Sequence, residues 1–101
     1  MDQRTVIEIV KKYLLYLKTN NYDISDAYLF GSYAKGNSTE NSDIDLALVL
    51  NNLSNKFLTQ VELMKISRKF DTRIEPHPFE ESDFTTNPFA KTILKEGIRL
   101  V

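Results

Sequence analysis

Apolar side chains recur at helical spacing near the start of the chain. Val6, Val10, Tyr13 or Leu14, and Leu17 fall on one side, with Lys11, Lys12 and Lys18 elsewhere. This spacing predicts an amphipathic helix over roughly residues 3 to 19. Asn20, Asn21, Asp23 and Ser25 form a polar break, and Ala27 to Phe30 is a short apolar run ending at Gly31, suited to a buried strand. After a stretch rich in Gly, Ser, Thr and Asn comes Asp43-Ile44-Asp45-Leu46-Ala47-Leu48-Val49-Leu50. Its first half alternates polar with apolar and its second half is apolar throughout, as in a strand that leaves the core at its start and is buried at its end. Asn51, Asn52 and Ser54 break the strand and can cap a second helix, with Phe57, Val61 and Met64 marking its inner face and Lys56, Glu62 and Lys69 its wet one. A third strand is predicted around Phe70 to Phe79, stopped by Pro76 and Pro78, which suit an edge or a strand end. Asn87-Pro88 reads as the cap and first turn of a last helix reaching about Glu96, and Gly97 ends it. This order gives an α/β (α+β) fold, with helices packed against one small sheet.

Composition narrows the class. A chain of 101 residues holds one compact core and is too short for two ordinary domains, so residues 1–101 are expected to form a single domain. With 42% hydrophobic and 27% charged residues it reads as globular, with no long apolar run to span a membrane. The net charge of -1 supplies no broad positive field, which argues against nucleic acid as a direct partner. Cysteine is absent, which removes disulfides and thiolate metal sites, and His77 is the only histidine, too few for a His-rich zinc centre. The start of the chain, with Asp2 and Arg4, has no apolar signal segment, so a cytoplasmic location is expected.

The candidate chemistry lies between the first two strands. Asp43 and Asp45 are two apart on a predicted strand, so both side chains emerge from the same face while Ile44 and Leu46 anchor the other. Two such carboxylates repel, and a hard divalent ion is the simplest group to offset that; a solvated strand end with two surface acids is the plain alternative. Gly31-Ser32 directly follows the strand at Phe30. Glycine lets the backbone approach a ligand, the serine adds a hydroxyl, and a helix opening there would aim amides at phosphate oxygens; a simple tight turn would look the same. The segment from Gly31 to Ser38 brushes the phosphate-loop pattern, but Asn37 stands where that pattern needs lysine.

Taken together, a strand, Gly31-Ser32, about ten small or polar residues and then Ser42-Asp43-Ile44-Asp45-Leu46 resembles the signature of the DNA polymerase beta-like nucleotidyltransferase superfamily. The match is closest to its minimal nucleotidyltransferase branch, short proteins often encoded beside a helical partner and recognised as antitoxins of HEPN-type toxins. The resemblance implies a small mixed sheet of the polymerase beta-like palm type. It implies that Gly31 and Ser32 grip nucleotide phosphates and that Asp43 and Asp45 bind magnesium. An arginine is frequent in the intervening stretch of the family; here Tyr33, Lys35 and Gly36 occupy it, and Lys35 supplies charge without an arginine's bidentate grip. A third family carboxylate on a later strand falls to Glu75, with Asp71 in reserve. His77 is read as a structural or solvent-facing residue, with contact to phosphate or a partner as the alternative.

This resemblance implies two Mg2+ ions held by Asp43, Asp45 and Glu75, ATP as substrate, and transfer of AMP onto a tyrosine of a cognate HEPN toxin. It also leaves two alternatives: an antitoxin that acts by contact alone, and transfer to a small-molecule hydroxyl. Phe79, Phe84 and Phe89 either close the small sheet or meet the partner.

Overall fold

The computed structural model describes residues 2–100. Helix α1 (Gln3–Thr19) begins where the Asp2 side chain accepts a hydrogen bond from the Thr5 amide at 2.8 Å, a standard N-cap. It buries Val6, Val10, Tyr13, Leu14 and Leu17, so Tyr13 and Leu14 both face inward. Strand β1 (Ile24–Phe30) starts three residues before the apolar run that predicts it. A four-residue helix α2 (Ser32–Lys35) follows, then β2 (Ile44–Leu50), helix α3 (Lys56–Ser67) and β3 (Ile74–Phe79). A short α4 (Asp83–Thr86), α5 (Pro88–Glu96) and a two-residue β4 (Ile98–Arg99) complete the described chain. The Asn87 side chain caps α5 by accepting from the Phe89 and Ala90 amides.

The sheet is mixed, in the order β3-β2-β1-β4. β1 runs antiparallel to both β2 and β4, while β2 and β3 are parallel and joined by α3. Period-2 alternation divides the sheet cleanly. Ala27, Leu29, Ile44, Leu46, Leu48 and Ile74 pack against α1 and α3, with Leu63 the fully buried knob of α3. The Tyr13 hydroxyl ties these two helices by donating to the Leu63 carbonyl at 2.7 Å. On the opposite face Tyr28, Ala47, Val49 and Phe79 pack against Ala90 and Ile93 of α5. Asp45, Glu75 and His77 share the parity of this second face. α5 covers only part of it, which leaves one end open for the polar residues.

Two expectations are corrected. The inner face of α3 does not run through Phe57 and Val61, which are 72% and 37% exposed. It runs through Gln60, Leu63 and Ser67, because both polar groups find partners: Gln60 donates to the Pro76 carbonyl at 3.2 Å, and the Ser67 hydroxyl to the Met64 carbonyl at 2.7 Å. A polar side chain so satisfied can turn inward at little cost. The third strand starts at Ile74 rather than Phe70, and it runs through Pro76 and Pro78 instead of stopping there. β3 is an edge strand; Gln60 meets the Pro76 carbonyl on its outer side, so the missing proline N–H groups fall where no ladder needs them.

Candidate active site

Asp45 lies between Phe30 and Glu75, paired across the ladder with each. Asp43 immediately precedes β2 rather than standing within it and is exposed; Asp45 and Glu75 are half-buried. The Glu75 carboxyl is pushed above its ordinary range, first by desolvation and then by the negative charges of Asp43 and Asp45; it also shares a hydrogen bond with Asp45. Glu75 is thus close enough to feel the charge of both aspartates. Asp71, the reserve candidate, lies elsewhere. Its carboxylate grips the Arg73 guanidinium at 2.7 Å and accepts the Arg73 amide at 2.9 Å, and that grip holds its carboxyl below the usual range.

The glycine turn is built against the same carboxylate. Gly31 has φ +75°, a conformation that side chains disfavour, and a Cβ placed there would overlap Asp45 Oδ2 and stand 3.2 Å from its Cγ. Only glycine lets the turn close over Asp45. Ser32 opens α2 directly after it, and no side chain caps that first turn. Gly36, also left-handed, ends the helix; buried Tyr33 pins it, and Gln3 of α1 donates to the Tyr33 carbonyl at 2.8 Å. Lys35 stands at the rim of a cavity of about 220 Å³ lined by Phe30, Gly31, Phe89, Ile93 and Glu96, where it meets Glu96 at 3.9 Å. The structure therefore brings Gly31, Asp45 and Glu75 together, with Ser32 next along the chain and Lys35 one helical turn on. Asp43 acts on Glu75 through its charge but stands outside the donor atoms that lie within 4.8 Å of one another.

His77, read from sequence as structural or solvent-facing, joins the cluster. One donor atom each from Asp45, Glu75 and His77 lie within 4.8 Å of one another, and His77 Nε2 is 3.7 Å from Asp45 Oδ1. Strand alternation places His77 on the face of Glu75, two residues on, but does not by itself bring it to Asp45. Oxygen donors crowded until one carboxyl resists ionisation, beneath a turn cut to fit them, suit a hard divalent cation. Of the three phenylalanines, Phe79 is buried and Phe84 half-buried on the α5 face, while Phe89 is half exposed and packs edge-on to Phe30 at 5.6 Å.

Residues 11–101 match the family model described as polymerase beta, nucleotidyltransferase. The chain belongs to that family. Among solved structures, this nucleotidyltransferase domain is similar to a Sulfolobus solfataricus protein classed as a nucleotidyltransferase, with TM-score 0.70 and 19% identity over 96% of this chain and 80% of that one. It is also similar to a toxin–antitoxin crystallised with AMP-PNP, with TM-score 0.67 and 24% identity over 94% of this chain and 72% of that one. A third is a toxin–antitoxin, MntA-HpeT, carrying two aspartate-to-glutamate substitutions two positions apart (TM-score 0.63, 21% identity, 100% and 73% coverage). At these identities the likeness establishes the nucleotidyltransferase fold. No curated protein sequence matches the chain significantly. Among the described residues no helix is long and apolar enough to cross a membrane.

Proposed function

We propose that this domain transfers the AMP moiety of ATP onto a protein hydroxyl, a tyrosine of a HEPN-type toxin, and so acts as an antitoxin. The observation that carries the reading is the junction of Gly31 with Asp45: a glycine turn that tolerates no Cβ, closed over a carboxylate that also contacts Glu75. Asp43, Asp45 and Glu75 would hold magnesium, two ions in all. Bound there, magnesium would supply positive charge to offset the negative charge of the triphosphate during in-line displacement.

The chain's own residues do the rest. The Gly31 backbone and the Ser32 hydroxyl bind phosphate oxygens, and Lys35 adds positive charge at the rim of the neighbouring cavity. Glu75, beside Asp45 on the adjoining strand, takes the proton of the acceptor hydroxyl. The acceptor oxygen bonds to the α-phosphorus as the bond to the bridging oxygen breaks, and pyrophosphate leaves.

The toxin–antitoxin neighbours, one crystallised with AMP-PNP, support both the partner class and the nucleotide. Mixing the chain with the protein encoded beside it, ATP and Mg2+, then weighing that protein by mass spectrometry, tests the reading. One added AMP unit on a tyrosine is expected. Tight binding with no added mass would instead assign the chain a purely blocking role.

A further inference from the structure

His77 faces Ala47 across the parallel ladder, where a methyl group leaves room for the imidazole to lean diagonally toward Asp45. The Phe30 ring packs 5.3 Å away at 59° on the adjoining side and sets the plane of the imidazole. About a third of the side chain is exposed, yet Nε2 itself is shut off from water and has no hydrogen-bond partner. A buried polar nitrogen left so is unfavourable unless something fills the space before it. What lies there is carboxylate oxygen: Asp45 Oδ1 at 3.7 Å, with a Glu75 oxygen in the same 4.8 Å cluster. Donors around an octahedral ion with bonds of about 2.1 Å stand about 3 Å apart when adjacent and about 4.2 Å when opposite. Side-chain movements of under about an ångström would close this cluster on an ion of that kind.

The geometry points to His77 Nε2 as a third ligand, with Asp45 and Glu75, of one divalent ion, giving a mixed nitrogen–oxygen subsite that prefers a first-row transition ion to magnesium. This inference rests on the metal-binding reading of Asp45 and Glu75 above and adds a ligand to it. All-oxygen sites suit Mg2+, whereas imidazole nitrogen is a poor magnesium donor and a good one for transition ions. Mn2+ is the apt probe. It sits at the weak end of the affinity order for these metals, so tight binding would reflect the donor set rather than the ion's general avidity.

His77 is the only histidine, which makes a spectroscopic test unambiguous in tag-free protein. Electron spin-echo modulation of the Mn2+-loaded protein should show nitrogen coupling from a directly bound imidazole. It should vanish in His77→Asn, whose Mn2+ affinity should fall about tenfold while Mg2+ affinity changes less than about twofold. Mn2+ bound by the unmodified protein without nitrogen coupling would overturn the assignment and leave His77 as a residue that positions Asp45. Nitrogen coupling that survives Asp45→Asn would also overturn it, because the donor set would not be shared. Mn2+ binding unchanged by both Asp45→Asn and Glu75→Gln is a separate outcome: it would remove the carboxylate site itself, and the proposed function with it.

Discussion

At the scale of single residues, Gly31 and the two acids of the third-strand region carry the sharpest expectations. Gly31→Ala adds a methyl group that collides with the Asp45 carboxylate at a left-handed φ, so both the turn and the carboxylate must shift. The loss should be about 1–3 kcal/mol in chemical denaturation, together with loss of nucleotide binding. Asp71 and Glu75 should behave as opposites. Asp71 is held below its ordinary range by Arg73, so its contribution is present above the unfolded value and disappears as pH falls through the folded one. Asp71→Asn should therefore cost about 1 kcal/mol at pH 7, nothing at strongly acid pH, and leave metal binding intact. The Glu75 carboxyl is raised, so the folded state keeps its proton more readily than the unfolded one. Metal-free stability therefore falls as pH rises through the interval between the two values. Glu75→Gln should remove that fall and raise the metal-free melting temperature at pH 7 by about 2–4 °C, a modest gain because water screens the half-buried group. Added Mg2+ should reverse the ranking by stabilising only the unmodified protein.

At the scale of elements, α3 offers the clearest check. Leu63→Ala should cost about 2–5 kcal/mol, since its side chain is fully buried between α1 and the sheet. Phe57→Ser and Val61→Ser should stay within about 0.5 kcal/mol by the same denaturation measurement. Periodicity alone favours the opposite result, because Phe57, Val61 and Met64 form the more apolar stripe. The chosen face contains Gln60 and Ser67, and only the positions of the Pro76 and Met64 carbonyls explain why those can turn inward. By contrast, α1 and α5 were legible almost to the residue, because Asp2 and Asn87 cap them with their side chains and unbroken apolar stripes follow. β3 was half legible: proline inside a strand reads as a stop until the strand is known to lie at the edge of the sheet. β4, two residues long, carries no periodicity to read.

At the scale of the whole molecule, one sheet face is devoted to packing and the other divides between packing and the polar cluster proposed to carry the chemistry. α1 and α3 bury the first; α5 seals part of the second and leaves the end that bears Asp45, Glu75 and His77. The nearness of Asp43 to Asp45 follows from a spacing of two at the start of a strand, although Asp43 itself precedes β2, and the place of Gly31-Ser32 follows from the strand end before it. The place of His77 was not legible, since its approach to Asp45 depends on the parallel register that sets it against Ala47. Calorimetric titration with a non-hydrolysable ATP analogue tests most directly the proposal that these carboxylates hold a metal-bound triphosphate under the Gly31 turn. Binding at one site per chain that requires Mg2+ and is lost in the paired Asp43→Asn, Asp45→Asn variant is the predicted result. Equal affinity in that variant, or binding that survives removal of every divalent ion, would contradict it.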